Sequence, residues 1–232
     1  MQHPIEWLPA QGRAEQLILL LHGWAQDAQD LLALAQALRS QFPQAAIVAP
    51  DAPHPADGGR FGRQWYSIEG LEDEAVWHAR VEEALAMLEP WVRAQQQRLG
   101  VGEAATALGG FSQGAVLALQ LALRHDGIAG RVLAFGGRLP VPPLVAPRLT
   151  TIHLFHGGAD RIFSAQFARD ALEQLAALHG DATMDIAEGV GHEIHPALVD
   201  CALQRLRSHI PMRTWQAALG AAPSARPVAG DE

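Results

Sequence analysis

At 232 residues the chain is long enough to bury a substantial core without disulfide or metal staples. Its 49% apolar and 18% charged content is that of a globular protein, and no 18-residue apolar run that could span a bilayer interrupts it. The formal charge of −8, with 17 basic residues scattered and no Lys/Arg block, argues against a nucleic-acid or anionic-membrane partner, and a single cysteine, Cys201, rules out an internal disulfide.

The N-terminal stretch MQHPIEWLPAQGR has no basic region followed by an apolar one, so a cytoplasmic protein without a secretion signal is expected. Ile5 to Leu8 predicts a short antiparallel edge strand. Continuous apolar runs then alternate with helical periodicity: strands at 17–23 (LILLLHG), 45–50, 105–110, 131–137 and 151–157, with a more alternating sixth at 182–189. Helices are predicted at 28–40, 72–99, 113–125, 165–179 and 196–208, and Pro90 should break or kink the second. This order implies an α/β fold: a mostly parallel central sheet of six to seven strands flanked by helices, in one domain over residues 1–219. The Ala-, Pro- and Gly-rich stretch 220–232 should be disordered. Cys201, in the apolar-periodic ALVDCALQRL, reads as a small core thiol.

Leu108 to Ala115 reads LGGFSQGA, a serine with glycines two residues before and after it. With 22 glycines and six serines in the chain, composition alone yields about 0.05 accidental Gly-x-Ser-x-Gly matches. Context makes it specific: a buried strand precedes Ser112 and a helix follows, as a nucleophile elbow requires, with Gly110 and Gly114 removing a Cβ where strand and helix crowd the turn.

A serine hydroxyl needs a histidine base, and the base needs a carboxylate to hold its tautomer. Both should follow the serine in the chain, at later strand ends. Asp160 lies just past the strand TIHLFHG, whereas Asp170 and Asp185 fall within a helix and a strand. His192 lies in the glycine-flanked loop after the last strand; His195, at the start of the final helix, reads as a surface histidine. His192 and His195 stand three apart without a third ligand, so no metal site is expected. The oxyanion donors should be the backbone N–H groups of Gln113, at the head of its helix, and Trp24, in the loop after LILLLHG. His22 and His156, each just before a glycine turn, read as loop-organising hydrogen bonders.

Together LHGW (20–24 with its flank), GRQWYSIEG (62–70), GGFSQGA (109–115), HLFHGGAD (153–160) and GVGHEI (189–194) resemble the phospholipase/carboxylesterase family of serine hydrolases, over most of residues 15–210. The resemblance implies an α/β-hydrolase fold, ester or thioester substrates, no cofactor, and a catalytic Ser112, Asp160 and His192. Many members of the family carry a Leu-Gly pair where this chain has Trp24-Ala25, which implies a narrower acyl site, and Tyr66 stands where an aromatic without hydroxyl is common.

Residues 50–70 have no periodicity and predict a long loop beside the site. Within it Trp65 reads equally as a buried anchor or a pocket wall, Tyr66 as a substrate contact, and Arg63 as a structural ion pair with substrate binding as its other role. The link at 138–150, with four prolines in thirteen residues, is too short and irregular for a cap domain. The expected activity is therefore that of a serine carboxylesterase or thioesterase on small-molecule substrates. A protein-acyl thioesterase, a lysophospholipase, and a non-catalytic binding protein of the same fold remain open, as does a homodimer.

Overall fold

A computed structural model describes residues 2–220. In chain order the elements are β1 (Gln2–Trp7), β2 (Gln16–Leu21), α1 (Leu32–Gln41), β3 (Ala45–Asp51), the two-residue strands β4 (His54–Pro55) and β5 (Arg63–Gln64), α2 (Glu74–Leu99), β6 (Thr106–Phe111) and α3 (Gln113–Arg124). They continue with β7 (Arg131–Phe135), β8 (Thr151–Gly157), α4 (Ala165–Ala177), β9 (Ala182–Ala187), α5 (Pro196–Ser208) and α6 (Met212–Gly220).

Seven strands form one sheet in the order β1-β3-β2-β6-β7-β8-β9. All pairings are parallel except the edge strand β1, which runs antiparallel to β3 with Ile5 opposite Ala49 and Trp7 opposite Ile47. The apolar runs are continuous because both faces are covered. In β2, Leu17, Leu19 and Leu21 enter the core under α2, α3 and α4, while Ile18 and Leu20 enter the opposite core under α1 and α5.

Four departures from expectation have local causes. The segment read as a helix from Ala28 opens with a 3-10 turn, Ala28–Leu31, held by a capping box in which Asp27 accepts from Gln29 N–H and Asp30 from Asp27 N–H. Helix α2 runs unbroken through Pro90, which lies on its exposed side where water can take the carbonyl that proline leaves unpaired. Residues 50–70 are more ordered than a plain loop: β4 and β5 pair across a glycine turn. Helix α6 lies beyond the expected helices although Met212, Trp215 and Leu219 stand at helical spacing, and its start is tied to the sheet through Met212 N–H donating to Asp181. The expected disordered tail lies, apart from Gly220, outside the described residues. Between β7 and β8 there is neither helix nor strand, so nothing roofs the C-terminal edge of the sheet from that side.

Candidate active site

The ends of β2, β6, β7, β8 and β9 open on one edge of the sheet, the usual place for a site in an open α/β sheet. Ser112 sits in the turn from β6 into α3 with φ +52° and ψ −114°, a conformation an L-residue keeps only when its surroundings impose it. They do so on two sides: a Cβ on Gly110 would collide with the Gly114 carbonyl, and one on Gly114 with the Leu21 carbonyl at the end of β2. Serine at a helix N-cap ordinarily turns its hydroxyl back onto the helix. Here it makes no such bond, which leaves Oγ for other work.

That partner is His192, whose Nε2 lies 2.9 Å from Ser112 Oγ and whose Nδ1 lies 2.6 Å from Asp160 Oδ2. The Asp160 side chain is wholly buried. Its second oxygen accepts the backbone N–H groups of Ile162 and Phe163, an Asx-type turn that fixes the carboxylate toward the histidine. The two loops are bound to each other as well: Ala159 N–H donates to Val190 O, and Gly157 has no Cβ where Val190 and Gly191 pass. The imidazole is gripped between the Phe111 and Phe163 rings, at centroid distances of 4.8 and 5.7 Å.

Trp24 and Gln113 line the same cavity as Ser112, and among the described residues neither backbone N–H has a protein acceptor. Gly23, just before Trp24, packs against the Ser112 side chain, with its N–H held by Gln26 Oε1. Ala25 adopts φ +56°, a left-handed geometry that costs a residue with a Cβ.

Three other histidines hold turns and helix ends by hydrogen bonds. His22, fully buried, accepts Ala52 N–H at Nε2 and so donates Nδ1–H to the Gly23 carbonyl; burial lowers its pKa, in keeping with a neutral ring. His156 donates Nε2–H to Phe163 O, securing the Asp160 turn from below, and burial lowers its pKa too. His195 caps α5, its Nδ1 accepting Ala197 N–H.

Of the three residues expected to touch substrate, one lines the cavity in front of Ser112. Tyr66 lines the cavity beside Ser112, and its buried hydroxyl accepts Trp77 Nε1–H; burial raises its pKa. Trp65 is instead an anchor, donating its indole N–H to His22 O and its backbone N–H to Gln113 Oε1. Among the described residues Arg63 forms no ion pair: its guanidinium donates to the carbonyls of Ala52 and Pro53, stapling β5 to the exit of β3. Those acceptors are backbone, so no acidic neighbour in the sequence could have announced or refuted the pairing. The motifs interlock in the same manner. Gln64 accepts the Trp24 indole N–H, and the Gln113 side chain donates to Tyr66 O, so the loop after β2, the 50–70 segment and the elbow form one hydrogen-bonded unit.

The cavity in front of Ser112 measures about 540 Å³. Besides Trp24 and Tyr66, its walls are Trp77 from α2, Ile162 and Phe163 from the Asp160 loop, and Arg138 after β7. None of the last four was singled out in the sequence; only Ile162 and Phe163, two and three residues past Asp160, lay close enough to a predicted site residue to be found. Among the described residues no group of three or more His, Cys, Asp or Glu side chains is placed to hold a metal ion, and no helix is long and apolar enough to cross a membrane.

Residues 7–210 match the profile of the phospholipase/carboxylesterase family. The chain belongs to this family. Among its relatives, the esterase YpfH of Escherichia coli is 38% identical over 89% of the chain and 88% of its own length, and an acyl-protein thioesterase 1 of Eremothecium gossypii is 26% identical over 85% and 89%. The crystal structure of esterase PE8 superposes with a TM-score of 0.81 at 33% identity, covering 89% of the chain and 98% of PE8. The fold is thus the α/β-hydrolase fold, and the protein is a hydrolase acting on ester bonds, of a family that includes carboxylesterases and thioesterases.

Proposed function

We propose that the protein hydrolyses carboxylic esters and thioesters of small molecules through an acyl-enzyme on Ser112. The observation that carries this reading is the single imidazole of His192 spanning Ser112 Oγ at 2.9 Å and the buried Asp160 carboxylate at 2.6 Å. His192 Nε2 takes the hydroxyl proton as Oγ attacks the carbonyl carbon, then returns it to the leaving oxygen or sulfur. Asp160 keeps the ring in the tautomer whose Nε2 is free and stabilises the imidazolium. The oxyanion is met by the unused N–H groups of Trp24 and Gln113, the latter with the favourable dipole at the head of α3. Water, deprotonated by the same nitrogen, releases the acid and restores Ser112.

The cavity supports a substrate with an apolar portion, since its walls are mainly aromatic and aliphatic. Thioesters stand beside oxygen esters because relatives include proteins called acyl-protein thioesterases. The protein-acyl and lysophospholipase readings differ from ours in leaving group alone, so kcat/KM across simple esters, acyl-CoA thioesters, S-acylated peptides and lysolipids separates them. A fluorophosphonate probe tests the mechanism itself: the wild type should be labelled and Ser112→Ala should not. An unlabelled wild type would make the protein a binding module with an inert serine.

A further inference from the structure

Arg138 is the one permanently charged side chain in the cavity wall, and it is unusually lacking in partners. Among the described residues its guanidinium makes no hydrogen bond and no ion pair, and its Nε is buried without an acceptor. Glu74, in the first turn of α2, acts on it only from beyond ion-pair distance. What holds it is aromatic: Arg138 Cζ lies 4.0 Å from the Trp77 ring centroid, 4.6 Å from that of Phe167 and 5.7 Å from that of Phe163.

A guanidinium stacks on rings through its flat face, whereas its five donors radiate in its plane. Contact with these rings therefore holds the group in place while none of its donors is taken up in a hydrogen bond among the described residues. Phe163 joins this cluster to the reactive one, since the same ring packs edge-on against His192. Gly136, two residues before Arg138, packs directly on the His192 ring, so the arginine stems from the backbone that backs the histidine.

We propose that Arg138 is a specificity residue that receives a carboxylate carried by the ester substrate away from the scissile bond. The inference rests on the esterase reading above. A carboxylate fits better than a phosphate: its two oxygens match the guanidinium fork, and its single charge is neutralised by the single cation of an otherwise apolar cavity. With a net charge of −8 the protein does not attract anions as a whole, so the selection is local to this side chain.

Three phenyl esters of one acyl length test this. Phenyl hexanoate is neutral, monophenyl adipate carries the carboxylate on the acyl side, and 4-carboxyphenyl hexanoate carries it on the leaving group. At least one anionic ester should exceed the neutral one in kcat/KM, and Arg138→Gln should lower that ratio roughly tenfold or more, the scale of a charge-assisted hydrogen-bonded pair. Which anionic ester is preferred tells which side of the scissile bond Arg138 faces. Arg138→Lys keeps the charge but loses the fork, so it should retain a reduced preference, and it serves should Arg138→Gln fail to fold. Binding of the same compounds to Ser112→Ala, followed by the fluorescence of Trp24 and Trp77 in the cavity wall, should show the same preference, lost in the double variant with Arg138→Gln. That measurement answers even if no ester is turned over, which would defeat the esterase reading alone. Equal affinity for neutral and anionic esters, or a preference that survives Arg138→Gln, would overturn the proposal.

Discussion

Two Asp–His pairs occupy opposite edges of the same sheet. At the C-terminal edge Asp160 Oδ2 meets His192 Nδ1 at 2.6 Å; at the N-terminal edge Asp181 Oδ1 meets His209 Nε2 at 3.1 Å. They differ in what surrounds the pair. Asp181 also accepts Thr151 Oγ–H and Met212 N–H, so its oxygens fasten the start of α6 to β8. Burial pushes its pKa up, but those hydrogen bonds and His209 outweigh it and hold the carboxyl below its usual range. Asp160 devotes one oxygen to its own loop, and its other faces His156 Nε2 at 3.4 Å and His192, whose far nitrogen faces a strained serine and a cavity. On the proposed mechanism the difference between the two pairs is the nucleophile and the room for a substrate that adjoin only the first.

Substitutions should split the two pairs. The largest effect is expected for Ser112→Ala and His192→Ala, each lowering kcat by about 10⁴- to 10⁶-fold, with the double variant little worse because the residues act as a unit. Losses that multiply in steady-state assays would mean that the two do not act together. Next, Asp160→Asn should lower kcat by about 10³- to 10⁴-fold by upsetting the tautomer. Asp181→Asn should leave kcat within about twofold and lower the melting temperature by about 2–8 °C. Similar kinetic losses from both would erase the distinction.

A smaller effect separates the buried histidines from Asp181 by pH. His153, wholly buried beside His209, has its pKa pushed down to about 3, chiefly by burial and then by the Arg131 charge. The folded protein refuses a proton there that the unfolded chain accepts below about pH 6.5. Stability is therefore full above that value and falls as pH drops through the window down to about 3, by up to ~1.4 kcal/mol per pH unit. His22 and His156, also lowered by burial, act in the same direction. Asp181, a lowered acid, contributes stability above about pH 4 that is lost only below it. In melts from pH 7 to 4.5, His153→Gln should flatten the decline, whereas Asp181→Asn should leave its slope intact. The smallest expectation is a null one: with no cap between β7 and β8 and the 50–70 segment pinned by Arg63, Trp65 and Gln113, rates should saturate smoothly through the micelle threshold of a longer-chain ester. A jump there would make that segment a moving lid.

The sheet and the Ser112, Asp160 and His192 positions were legible because each depends on neighbours in the chain: two-sided burial writes a strand as an unbroken apolar run, and strand ends rich in glycine mark the loops that carry the site. The cavity wall was not legible. Trp77 lies in α2, Arg138 in the link after β7 and Phe163 in the Asp160 loop, and only tertiary packing brings them together, with the Trp77 and Phe163 rings 6.4 Å apart and Arg138 against both. Helix α6 does carry a helical spacing in Met212, Trp215 and Leu219, but it is short, and the long-range hydrogen bonds that tie it to Asp181 and Thr151 are not written in that spacing. Trp65 stood evenly between two roles until the His22 carbonyl, 43 residues away, decided for the anchor.

The strained turn at Ser112 also governs when the protein becomes reactive as it is made. Its geometry needs Leu21 of β2 on one side and the Phe135 carbonyl, bonded to Ser112 N–H, on the other, and His192 arrives from 80 residues downstream. Helices close in microseconds or less, while parallel pairings across such distances are slow. During refolding, reactivity toward a fluorophosphonate should lag behind the recovery of helical signal, because a chain with its helices formed and its sheet incomplete holds only an ordinary alcohol at position 112.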